Sequence, residues 1–139
     1  MKNLLIGIIL LAYTMVSQHN DYITIEHFGD SDKPIETIII SKKSLIKPYC
    51  KNFIVTDKVF NILKNVVKEY KEKNQYTESE FGSFKVTINE YGKKKLNYYF
   101  GRINSIQLFN SFINSLNQTD NNGLISALKT NNLRISLKN

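Results

Sequence analysis

Few side chains in this chain are able to do covalent or acid–base chemistry. The 139 residues include two histidines, His19 and His27, and a single cysteine, Cys50. His27 lies next to Glu26 and nine positions before Glu36, so an imidazole–carboxylate pair for proton transfer is the one catalytic arrangement available. A metal centre needs three or four converging ligands, and the histidine and cysteine spacings supply no such set. Ser83, in "EFGSF", lacks the second glycine of a nucleophile elbow. "DSD" at 30–32 opens like a calcium loop, but Lys33 and Pro34 follow where more oxygen ligands belong, which makes it a polar turn. The glycines form no phosphate-cradling loop, so neither a metal nor any other cofactor is expected. Asn117-Gln118-Thr119 matches a glycosylation sequon, of consequence only in a eukaryotic secretory pathway.

Charge is the stronger signal. The formal net charge is +7, and all but two of the nineteen basic residues are lysine. Only Arg102 and Arg134 offer the planar fork that reads phosphate or guanine in a bidentate way. Lys64, Lys68 and Lys71 recur at i, i+4 and i+7, which on a helix makes one basic stripe, and Lys93, Lys94 and Lys95 crowd what reads as a hairpin tip. Such a surface suits an acidic protein or an anionic surface. Nucleic acid is not expected, because single-strand binding interleaves aromatics with the basic residues and only Tyr91 and Tyr99 are placed to do so. Asn, Lys and Ile dominate the composition, a bias that A/T-rich codons produce whatever the function, and a solvated lysine face is the plain alternative.

Several elements must position these groups. "YITIEHF" and "IETIII" flank the turn-forming "GDSDKP" and predict a β-hairpin. Closing it with Phe28 opposite Ile35 sets His27 opposite Glu36, Ile25 opposite Ile38 and Ile23 opposite Ile40. The run Ile38, Ile39, Ile40 predicts a strand covered on both faces. In "FIVTDKVFNILKNVVKEYKEK", Val59, Ile62, Leu63, Val66, Val67 and Tyr70 recur at helical spacing. Thr56 or Asp57 caps that helix, and Val55 is placed to staple onto Phe60.

"FKVTINEYGKKKLNYYF" predicts a second hairpin around Gly92, with Ile88 opposite Leu96, Val86 opposite Tyr98 and Phe84 opposite Phe100. Its other face, with Lys85, Thr87, Asn89, Lys95, Asn97 and Tyr99, reads as solvated, with Tyr99 the exception. A second helix carries Ile106, Phe109, Phe112, Ile113 and Leu116, opened by a capping box of Asn104 and Gln107. "LISALK" predicts a short helix and "LRISL" a closing strand. The fold class expected is α+β: an antiparallel sheet of two hairpins and a C-terminal strand, with two main amphipathic helices packed on one face, in the order ββ-α-ββ-α-(α)-β. A mixed sheet with helices on both faces is the second choice.

The first eighteen residues read as an export signal. Lys2 precedes an uncharged apolar run at 4–16, and "SQHND" is abruptly polar. A helix over residues 4–17 reaches about 21 Å at roughly 1.5 Å per residue, short of the ~30 Å hydrocarbon core of a bilayer. Cleavage after Gln18 leaves a single α+β domain over 19–139 with no membrane span, exported to the periplasm or the medium; a tilted, retained anchor or a buried strand-like N-terminus is the alternative. A lone cysteine excludes an internal disulfide framework.

The functional expectation is a non-enzymatic binding or inhibitory module acting on another envelope or extracellular macromolecule. Lys64, Lys68, Lys71, Lys93, Lys94, Lys95 and Tyr99 are its candidate contacts. The alternative is a small envelope enzyme built on His27 with Glu26 and Glu36.

Overall fold

The computed structural model describes residues 21–28, 33–43, 50–73 and 84–137. The export signal, His19, the turn at 29–32 and Ser83 therefore lie outside the described residues. The rest is an α+β fold with five strands and three helices: β1 (Tyr22–Phe28), β2 (Pro34–Ser41), β3 (Lys51–Ile54), α1 (Asp57–Lys73), β4 (Phe84–Asn89), β5 (Leu96–Phe100), α2 (Arg102–Leu116) and α3 (Asn122–Leu137).

The sheet order is β3-β2-β1-β4-β5, with β1 at the centre. Its alternation buries Ile23, Ile25 and His27 and turns Tyr22, Thr24, Glu26 and Phe28 to the other face. Both hairpins keep the expected register: Ile25 pairs with Ile38 and His27 with Glu36, while Ile88 pairs with Leu96 and Phe84 with Phe100. One pair differs. Phe28 meets Pro34 rather than Ile35, because the register shifts between His27 and Phe28. The bulge leaves Ile35 as an extra residue of β2 between the partners of His27 and Phe28, and proline at a strand's first position gives up no ladder hydrogen bond.

The sheet is mixed, not purely antiparallel, and its fifth strand is not C-terminal. β3 runs parallel to β2, with Ile40 beside Phe53, and the Val55 amide extends the pairing to the Ser41 carbonyl at 2.9 Å. Residues 133–137, read as a closing strand, belong to α3. No glycine or proline follows Gly123 to stop that helix. Leu124, Ala127, Leu128 and Asn131 are all buried at helical spacing. Asn131 Nδ2 donates to the Ala127 carbonyl at 3.2 Å, while its Oδ1 is buried without a hydrogen-bond partner among the described residues.

Side chains of one sheet face and of all three helices share a single core, including Ile23, Ile38, Phe84, Val86, Phe60, Leu63, Phe109, Leu116 and Leu128. The helices thus cover one face. On the opposite face Thr87 is buried rather than solvated, since its strand is flanked by β1 and β5 and its hydroxyl reaches Asn97 Oδ1 at 3.0 Å. Ile39 also lies on that face and is 1% exposed, so all three isoleucines of the run are buried.

Thr56 caps α1 as expected, its Oγ1 accepting the Val59 amide at 3.3 Å. Val55 and Phe60, on either side of that cap, both enter the core. The second cap is different. α2 begins at Arg102 with Gly101 at its cap position, so Asn104 and Gln107 lie within the helix and do not form a capping box. They bind Tyr70 instead, whose hydroxyl lies 3.0 Å from Asn104 Oδ1 and 2.6 Å from Gln107 Oε1. The phenol has one proton to donate, and the second amide, turned over, supplies a donor to the phenolic oxygen. Tyr70→Phe, which keeps the packing and removes this link between α1 and α2, is expected to lower stability by about 1 kcal/mol in urea unfolding. An unchanged midpoint would mean that the hydroxyl is as well satisfied by water.

Candidate functional site

Two ends of the sheet gather polar groups. At one end, a row crosses the helix-covered face from Phe100 through Phe84 and His27 to Glu36. Lys51 of β3 joins it with Nζ 2.6 Å from Glu36 Oε1. The His27 ring stacks on Phe84 at 4.5 Å and 14°, and Phe109 makes a T-shaped contact with the Phe84 ring at 4.7 Å. The imidazole is 7% exposed, so its face is used for packing. Glu26, the other carboxylate expected to serve His27, points to the opposite face and does not join the row. Cys50, which precedes Lys51, is half-buried and makes no disulfide. A shallow hollow lined by Asn122, Ile125, Ser126, Lys129 and Thr130 runs along α3, and His27 is not among its walls.

The other end is held by charge. Here β1 begins, β2 and β4 finish, and the β4–β5 turn closes with Gly92 at φ 73° and the Lys93 amide donating to the Glu90 carbonyl at 3.1 Å. Left-handed φ at this position favours glycine. Asp21 receives the Tyr91 amide at 2.8 Å on one oxygen and Lys42 Nζ at 3.1 Å on the other. Lys42 also lies 3.9 Å from Asp57 and 4.9 Å from the centre of the Phe60 ring.

Glu90 is the focus of the lysine groups. Lys64 reaches its Oε2 at 3.1 Å from α1, and Lys93 reaches the same oxygen at 3.6 Å from the turn. Lys68 acts on it through space. Burial pushes the carboxyls of both Asp21 and Glu90 up, but hydrogen bonds and lysine charges outweigh it. Asp21 is lowered by the Tyr91 amide, Lys42 and Lys64, and Glu90 by Lys64, Lys93 and Lys68.

The candidate contacts therefore separate. Lys64 is 14% exposed and committed to Glu90. Lys71 is half-buried, with Nζ 5.7 Å from the centre of the Phe100 ring. Lys68 is half-buried beside the Glu90 group, and Lys93, Lys94 and Lys95 are exposed. Lys64 and Lys68 of the stripe and Lys93 of the tip, separate in sequence, meet at one carboxylate. Tyr99 is 51% exposed on the face away from the helices, with Lys85 Nζ 5.7 Å from its ring centre, and so is on another surface.

Glu90, Asp21 and Lys42 escaped the sequence reading. Glu90 and Lys93 are an i, i+3 pair in the turn and were legible as such. Asp21 and Tyr91 are 70 residues apart, and no local pattern links them. Among the described residues, no three His, Cys, Asp or Glu side chains are grouped to hold a metal ion. No described helix is long and apolar enough to cross a membrane. Compared with known proteins, the chain matches no family model, no curated protein and no solved structure.

Proposed function

We propose that this chain is a small exported binding module without catalytic activity, which meets an acidic partner in the envelope or outside the cell through the β4–β5 turn. Export follows from the apolar run at 4–16, with residues 1–18 removed and the domain released to the periplasm or medium. The observation that carries the binding reading is the convergence of Lys64 and Lys93 on Glu90. One carboxylate there faces Lys64, Lys68 and Lys93, and the adjoining Lys94 and Lys95 are exposed, so the surface keeps a positive excess. The His27 row supports an enzyme less well, because its imidazole is stacked and buried rather than presented to a substrate. The contact set narrows to Lys68, Lys93, Lys94 and Lys95, with Lys64 as the residue that fixes the turn against α1.

Affinity capture from an envelope extract tests this. The native protein should retain an acidic partner that elutes as salt rises, since exposed charges are screened over ~8–10 Å near physiological ionic strength. The K93Q/K94Q/K95Q variant should lose most of that retention while its stability stays within ~0.5 kcal/mol. Retention that ignores both salt and the triple substitution would move the contact surface to the face bearing Tyr99.

A further inference from the structure

The Asp21–Tyr91 contact fixes where the N-terminal segment joins the domain. Asp21 immediately precedes β1, and its carboxylate holds the backbone of the β4–β5 turn at 2.8 Å. Tyr22 pairs with Asn89, the last residue of β4. Residues 1–20 therefore attach at the same end of the sheet that carries Lys93, Lys94 and Lys95. Only five Cα steps separate Val16, the end of the apolar run, from Asp21, a reach of at most about 18 Å. Until residues 1–18 are removed, that reach would keep the lysine turn close to any bilayer holding the apolar run, and after removal the turn meets the membrane through its charge alone.

Resting on the reading of the turn as an anion-binding surface, we propose that its partner is the anionic lipid surface of a membrane. Shape and chemistry both favour lipid over an acidic protein. A stable protein–protein contact takes about 800 Å² from each partner, whereas the exposed part here is one convex turn of a few residues. A headgroup layer needs no complementary surface. Lysine ammonium groups act as point charges and suit the scattered phosphates of a headgroup layer. Tyr91, 61% exposed beside them, has the amphipathic ring that settles at a membrane–water interface. The turn is peripheral: it rests on the surface and spans nothing.

The test is partitioning of the full chain onto vesicles of phosphatidylcholine alone and of phosphatidylcholine with about a third phosphatidylglycerol. Residues 1–18, where still attached, contribute alike to both vesicle types, so the ratio of the two partition coefficients reports the charge. Each lysine near an anionic surface contributes about fivefold. K94Q/K95Q should therefore lower that ratio by roughly 25-fold, and K93Q, shared with Glu90, should lower it by less. K33Q/K129Q removes the same charge from two exposed positions that are not on the turn, one just before β2 and one on α3, and should leave the ratio unchanged, which separates the turn from net charge.

A parallel arm measures binding to soluble polyglutamate. Equal partitioning of the native chain onto both vesicle types would overturn the lipid proposal. Polyglutamate binding lost in K94Q/K95Q would then leave the acidic-protein reading standing. Failure of both arms would remove the turn as an anion site altogether. An anionic preference that K33Q/K129Q abolishes as fully as K94Q/K95Q does would also overturn the proposal, since net charge and not the turn would be responsible.

Discussion

Phe109→Ala is expected to lower the stability of the domain by about 3–5 kcal/mol, the range for emptying a fully buried phenylalanine site. Phe109 is 0% exposed at the middle of α2. Its ring meets Phe84 of β4 edge-on at 4.7 Å and lies 6.3 Å from Phe112. Phe84 in turn stacks on His27 of β1. One side chain therefore joins the helix layer to the two central strands, and its neighbours are rings that cannot bend into the space it leaves. Against a total stability of roughly 5–15 kcal/mol, this loss brings the chain close to unfolding at room temperature. Urea unfolding followed by far-UV circular dichroism measures it. Phe109→Leu, which keeps most of the volume, should cost much less. A loss below about 1 kcal/mol for the alanine variant would mean that α2 does not seat on the sheet as described.

The two hairpins were legible because alternation specifies register: a slip of one residue turns every buried side chain outward. The four pairs from Ile23–Ile40 to Phe84–Phe100 that join like with like left little freedom. The same rule failed at the C-terminus. Leu133, Ile135 and Leu137 alternate, yet the segment is helical, because Leu124, Ala127, Leu128 and Asn131 had already set a 3.6 period. Asn131 concealed that period by placing an amide in a buried position. β3 was hidden for another reason. It has four residues, only one of them half-buried and the rest exposed, so it has almost no pattern of its own. Its place was implied only by Ile38, Ile39 and Ile40, whose strand has a neighbour on each side. Of the candidate site, the lysines were visible and their commitments were not. Whether a helical lysine is solvated or paired depends on which carboxylate the fold brings to it, and Glu90 is 26 residues from Lys64.

That pairing makes stability depend on acid in a defined way. Asp21 and Glu90 are both held below their ordinary values of 3.8 and 4.5, the lysines and the Tyr91 amide outweighing burial. A depressed carboxylate binds fewer protons in the folded chain than in the unfolded one. Its contribution is therefore complete above the ordinary value and is lost as pH falls through the folded value. The contribution of these two carboxylates should be complete from neutrality to about pH 5 and should decline below their ordinary values of 4.5 for Glu90 and 3.8 for Asp21. Glu90→Gln isolates the Glu90 part. At pH 7 it leaves Lys64, 14% exposed, without its carboxylate, at a cost of about 2 kcal/mol. Once pH has fallen through the lowered folded value, Glu90 is protonated in the native chain as well, and the near-isosteric glutamine makes little difference. The two urea midpoints should therefore converge as pH drops. A gap of constant size as pH falls through that value would show that the carboxylate's charge is not what holds the β4–β5 turn against α1. The contribution of Lys64 would then be packing of its methylene stem.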